Sequence, residues 1–334
     1  MPRILCALAL VSLVLCAQPQ PAPPKPFTAP DDIAFRNVDI YSEGTRMHGE
    51  VFVAKSAPPD KKLPTILMAH GWGGSTPAMR RDAVIFARNG YFVLTFDYRG
   101  WGGSDSRLIP AGPVPKAGAD GKLTLEVREV REVVDPIDFA TDWFNAIHWL
   151  AGEPQADMNR LGLWGSSFSG GLVIYVAARD PRVKAFHSQV GAMNGRDMIK
   201  TPDAAQRAYA EATAMARGEK QYPKAGEPFD VIQMVDGKPV VAGKLRGHPV
   251  YAKMMVYFPV EEVNLAPQCA MQFVIAEKEE LFDNRDHAIK AYETFKGKKN
   301  LVTVPGITHY GIYSTAFQQS NKLALDWYDK HLKN

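Results

Sequence analysis

Cysteine is scarce. Three occur in 334 residues, Cys6, Cys16 and Cys269, and two of them sit in an apolar N-terminal run. A disulfide framework is therefore excluded. No CxxC or HExxH spacing occurs, so no metal is called for and no cofactor is expected. Clustered charge of one sign is also missing. The net charge is +3, and the basic residues are scattered, which argues against nucleic acid as a partner, since phosphate binding needs clustered Lys and Arg. No repeat at a solenoid period is present. No apolar run comfortably spans a bilayer, so no membrane span is expected. Nothing specifies an oligomeric state.

The longest apolar run, residues 4–17 after Arg3, reads as the core of a secretory signal peptide over residues 1–17. Export, to the periplasm or beyond, is the expectation. A lipid anchor on Cys16 is the weaker reading, because Leu15 is bulky just before the cysteine. Residues 18–30 are rich in proline and read as a tether. The remainder, 31–334, has room for one large α/β domain with insertions. The whole chain's 46% hydrophobic and 22% charged content is ordinary for a globular protein.

Residues 33–53 alternate loosely around a turn at 42–44 and suggest a hairpin of edge strands. Residues 65–69 are a short continuous apolar run, as in a strand buried on both faces. A helical pattern over 79–89 stops at Gly90, and a second buried strand follows at 91–96. Strand, helix, strand with short links implies a mostly parallel sheet flanked by helices. An arm at about 105–134 interrupts this rhythm, with a turn at Asp120-Gly121 and alternation of Leu123, Leu125 and Val127. A helix capped by Asp135, with Pro136 in its first turn, should bury Ile137, Ala140, Phe144, Ile147 and Ala151. Strands are expected at 183–190, 269–276 and 301–304, and helices at 285–295 and near the C-terminus. Between about 193 and 267 the alternation fails. That segment carries a helix near 204–216 and a hairpin turning at Asp236-Gly237. It reads either as a cap over a site or as an ordinary packed insertion.

The stretch with chemistry is GLWGSSFSGG, residues 162–171. An apolar strand meets Gly165, and Ser167 stands on the turn into a helix. Such a turn lifts a serine hydroxyl above the sheet edge, and small neighbours relieve the crowding. A serine hydroxyl needs a base within hydrogen-bond reach, and the base needs a carboxylate to hold its tautomer. Both should follow later strand ends, since open α/β sheets bind ligands at their carboxyl edge.

The base candidate is His309, in PGITHYGIY after the last strand. The other seven histidines lie in less suitable positions. The acid candidates lie in the loop after residue 276, where Glu277, Glu279, Glu280 and Asp283 compete. Glu279 is favoured because Leu281 and Phe282 would then anchor the loop. An oxyanion hole would combine the N–H of Phe168 with that of Trp72, in HGWGG at residues 70–74.

The series HGWGG, FDYRGWGGSD, GLWGSSFSGG, the Glu279 loop and PGITHYGIY resembles the α/β-hydrolase superfamily. Within it the chain is similar to the dienelactone-hydrolase-like and X-Pro dipeptidyl-peptidase-like (S15) group, which also includes polyketide transferase-like proteins. The resemblance covers roughly residues 35–330. It implies the α/β-hydrolase fold and a Ser–acid–His triad, here Ser167, Glu279 and His309. Three departures stand out: Ser169 replaces the second glycine of G-x-S-x-G, the acid is Glu rather than Asp, and the arm at 105–134 is unusual. The expected function is a serine hydrolase acting on a small-molecule ester or acyl substrate through an acyl-enzyme. Alternatives are an acyltransferase or X-Pro-type peptidase with the same triad, or a non-catalytic binding protein on this scaffold.

Overall fold

The computed structural model describes residues 27–235 and 238–333. The N-terminal leader, the tether as far as residue 26 and the turn at Asp236-Gly237 lie outside the described residues. Eight strands form the main sheet: β1 (Ile33–Ser42), β2 (Thr45–Ala54), β3 (Leu63–Ala69), β4 (Phe92–Phe96), β5 (Ala156–Ser166), β6 (Val183–Gln189), β7 (Ala270–Ala276) and β8 (Lys299–Val304). Their order is β1-β2-β4-β3-β5-β6-β7-β8. β1 and β2 form an antiparallel hairpin, β2 meets β4 antiparallel, and every later pair is parallel. The parallel strands share one carboxyl edge, and the loops after β3, β5, β7 and β8 open there.

The longer helices are α1 (Arg80–Arg88), α2 (Pro136–Ala151), α3 (Phe168–Ala177), α4 (Pro202–Ala216), α5 (Ala288–Thr294) and α6 (Phe317–Tyr328), with single turns at Tyr251–Met254 and Pro259–Glu262. Strand alternation divides the core between two faces. Leu67 and Ala69 of β3 pack with Leu163 of β5, Trp143 of α2 and Leu172 of α3. Ile66 and Met68 turn the other way, toward Phe86 of α1 and Ala324 and Tyr328 of α6. This two-sided burial explains why these strands are continuous apolar runs.

Three elements differ from expectation. On α2 the buried stripe is Phe139, Ala140, Trp143, Ala146, Ile147 and Leu150; Ile137 and Phe144 are only half-buried, and Ala151 is exposed. The aromatic pair at 139 and 143 outweighs the stripe through Phe144 because Phe139 stacks on Tyr98, ring centres 3.9 Å apart. In the arm, Arg107–Pro110 pairs with Val127–Val130, whereas Leu123 and Leu125 are not in a strand. The expected helix over 285–295 is broken: a 3-10 turn at Asn284–Asp286 precedes α5. His287 occupies the break, with its Nδ1 accepting from the Met193 N–H at 2.7 Å and its Nε2 2.5 Å from Asp197. Those bonds draw its backbone out of the helical path.

After β6, α4 is capped by Thr201, whose hydroxyl accepts from the Ala204 N–H. The strands Pro228–Val235 and Lys238–Arg246 form an antiparallel pair. His248–Pro249 then pairs with Val133–Val134 beside the arm. No helix among the described residues is long and apolar enough to cross a membrane.

Candidate active site

Ser167 joins β5 to α3 with φ 56° and ψ −121°. A positive φ in a residue with a Cβ costs on the order of 1–3 kcal/mol and persists only where the surroundings over-determine it. Here they do. The Ser167 N–H donates to the Gln189 carbonyl at 3.0 Å, and its own carbonyl accepts from the N–H groups of Gly170 and Ala192. Gly165 is obligatory, since a Cβ there would lie 2.2 Å from the Ser169 carbonyl oxygen. Gly71, in the loop after β3, also has no room for a side chain, because its Cβ would sit 2.8 Å from Ser167 Cβ.

His309 opens a short 3-10 helix after β8. Its Nε2 lies 3.1 Å from Ser167 Oγ. Its Nδ1 lies 2.9 and 3.0 Å from the two carboxylate oxygens of Glu279. A carboxylate can only accept, so Nδ1 carries a proton and Nε2 is left to accept from the serine. Both the imidazole and the Glu279 carboxylate are almost wholly buried, at 2% and 3% side-chain exposure. Water therefore competes little for either bond. A hydroxyl, an imidazole and a carboxylate in this relation can move a proton off the hydroxyl.

The other three acids of that region are placed elsewhere. Glu277 accepts from the Gly306 N–H at 2.6 Å, and Glu280 from the His309 N–H at 2.7 Å. Both hold the backbone of the histidine loop. Asp283 is half-buried beside Arg285, whose hydrogen bonds hold its carboxyl down at about 2. Phe282 packs against His309 and His287. Leu281, expected to anchor the same loop, is instead 37% exposed.

Trp72 lies in the loop after β3, and its indole meets the Phe168 ring edge-on at 5.6 Å. The indole N–H donates to the carbonyls of Arg246 and Gly247, joining this loop to the segment after the second hairpin. Phe168 is the first residue of α3, where backbone N–H groups have no acceptor within the helix. In the same loop, His70 Nδ1 donates to the Gly71 carbonyl at 2.8 Å. Burial lowers the pKa of His70, with Asp97 opposing.

The profile of the X-Pro dipeptidyl-peptidase (S15) family matches residues 43–234. The chain belongs to this family. The match takes in Trp72 and Ser167 and ends before Glu279 and His309, whose placement rests on the distances above. The chain is 28% identical to an uncharacterized 31.7 kDa protein of Escherichia coli over 292 residues, which is 81% of this chain and 92% of that one. Over 163 residues it is 37% identical to the quorum-quenching protein AidA of Acinetobacter baumannii, covering 48% and 43%. A crystal structure of a hypothetical protein from Pseudomonas aeruginosa superposes with a TM-score of 0.71 at 19% identity, covering 92% of this chain and 96% of that one. This S15-family chain thus has the α/β-hydrolase fold shared by esterases, hydrolases and peptidases.

Sequence reasoning missed the polar supports of the elbow. Ser166 Oγ lies 2.7 Å from the Tyr313 hydroxyl and accepts from Gln189 at 3.1 Å. This ties the elbow to the loop that bears His309. Ser169 bonds Tyr98 and the His70 carbonyl. Only the missing elbow glycine marked position 169, and nothing in sequence spacing pointed to Tyr98. Among the described residues no cluster of three His, Cys, Asp or Glu is arranged to hold a metal ion.

Proposed function

We propose that this S15-family chain is a serine hydrolase that cleaves a carboxylic ester of a small molecule. Ser167 Oγ attacks the acyl carbon while His309 Nε2 takes its proton. Glu279 holds the imidazole tautomer and balances the imidazolium that forms. The N–H groups of Phe168 and Trp72 receive the oxyanion. His309 then returns the proton to the departing alcohol; water, deprotonated by the same imidazole, attacks the acyl carbon, and as the acyl–Oγ bond breaks the imidazolium returns that proton to Ser167 Oγ, releasing the acid. The observation that carries this reading is the line from Ser167 Oγ through His309 to Glu279, at 3.1 and 2.9 Å. The apolar run at 4–17 supports export as part of the same reading, checked by the mass of the mature N-terminus.

The family profile favours a second reading, a peptidase that releases X-Pro dipeptides. A panel of p-nitrophenyl esters of rising chain length, run beside an aminoacyl-proline p-nitroanilide, separates the two. The ester reading predicts turnover of one or more esters that disappears in Ser167→Ala. Turnover confined to the prolyl amide supports the peptidase instead. Full activity in Ser167→Ala overturns both.

A further inference from the structure

The departure at position 169 has a directional network behind it. The Trp143 indole N–H, which can only donate, points to the Tyr98 hydroxyl oxygen at 2.8 Å. The His70 carbonyl, which can only accept, takes the Ser169 hydroxyl proton at 2.5 Å. Tyr98 and Ser169 share a bond of 2.5 Å. Because the Ser169 proton is already committed to His70, Tyr98 must be the donor in that bond. The order is fixed: Trp143 to Tyr98, Tyr98 to Ser169, Ser169 to the His70 carbonyl. All four residues are buried, so a missing partner would not be replaced by bulk solvent. Tyr98 is clamped as well, stacked on Phe139 and met edge-on by Phe96 and His70.

The end of this network bears on the oxyanion hole. The His70 carbonyl belongs to the peptide that leads into Gly71, and the next peptide carries the Trp72 N–H. Gly71 already lies against Ser166 and Ser167, with no room for a Cβ. The Ser169 hydroxyl therefore fixes the loop after β3 at a set distance and orientation from the serine turn. A glycine at position 169 would leave the His70 carbonyl without this donor and the Tyr98 hydroxyl proton without this acceptor, while the Tyr98 oxygen would still accept from Trp143. We infer that Ser169 is a positioning residue, which aims the Trp72 N–H at the oxyanion through the His70 carbonyl. The inference rests on the serine-hydrolase reading above and adds a residue to it.

The test is Ser169→Ala, which removes the hydroxyl and keeps the Cβ. Steady-state kinetics on the best ester are paired with inhibition by a boronic acid, whose adduct on Ser167 places an oxygen in the oxyanion hole. The expected result is a fall of about 10–100-fold in kcat with KM within about threefold, and a parallel loss of boronic acid affinity. If Ser169→Ala does not fold, Tyr98→Phe carries the test. It removes the donor into Ser169, and a smaller fall in the same two quantities is expected. Unchanged kcat and boronic acid affinity in a folded variant overturn the inference, as does a rise in KM alone. A wild-type protein that turns over no ester and binds no boronic acid overturns the hydrolase reading instead, so the two failures are distinct.

Discussion

Glu279 and Glu280 are adjacent and chemically identical, yet they meet different atoms of the same histidine. Glu279 holds the imidazole Nδ1, and Glu280 holds the backbone N–H. Glu279→Gln keeps the shape but can present an amide N–H to Nδ1, which favours the wrong tautomer. A loss in kcat of about 10³–10⁴-fold is expected, read in ester turnover at constant protein fold. Glu280→Ala should cost far less, about 3–10-fold, because a hydrogen bond worth about 1 kcal/mol is lost and the imidazole pair remains. Equal losses in the two variants would contradict this division of tasks. The placement of Ser167 and His309 at one sheet edge was legible in sequence, because each follows an apolar strand at a marked turn. The partner of the imidazole Nδ1 was less firmly marked: among four carboxylates within seven residues Glu279 was favoured for its anchoring neighbours, of which Phe282 packs against His309 while Leu281 is exposed.

Helix α2 shows what local sequence does and does not determine. Its start was legible: Asp135 caps it, accepting from the N–H groups of Ile137 and Asp138 at 3.1 Å each. The other carboxylate oxygen meets Lys253 at 2.6 Å. Asp135→Ala should lower stability by about 1–2 kcal/mol, measured by urea unfolding, with activity retained in the folded fraction. A change under about 0.3 kcal/mol would show that the cap is redundant. The buried face of α2 was misread, because two interleaved apolar stripes were available and tertiary stacking on Tyr98 chose between them. The break at His287 was illegible for a related reason. Its cause, a bond to Met193, comes from a residue far away in sequence.

At the scale of the whole molecule, parallel strands bring distant loops to one edge, and the central sheet bears a buried titratable group. His187 on β6 is fully enclosed, its Nδ1 donating to Gln272 at 2.7 Å. Burial lowers its pKa to about 4. Between about 4 and the ordinary imidazole value near 6.5, the unfolded chain binds a proton that the folded chain refuses. Its contribution therefore destabilises the fold as pH falls through that window, by at most about 1.4 kcal/mol per pH unit. His187→Gln removes this proton. Melting temperatures of wild type and variant should keep a constant gap above pH 7, and the wild type should lose ground below pH 6.5. Parallel curves down to pH 4.5 would show that His187 does not titrate as described. The mostly parallel sheet was legible from strand rhythm, whereas the packing of the arm against His248–Pro249 was not. The central claim is that loops after β5, β7 and β8 meet to make one hydroxyl reactive. Its most direct test is a fluorophosphonate probe on the folded protein, with the adduct mapped by peptide mass spectrometry. A single label on Ser167 is expected, lost in Ser167→Ala and strongly slowed in His309→Ala. A folded protein left unlabelled, or a label on another residue, would contradict it.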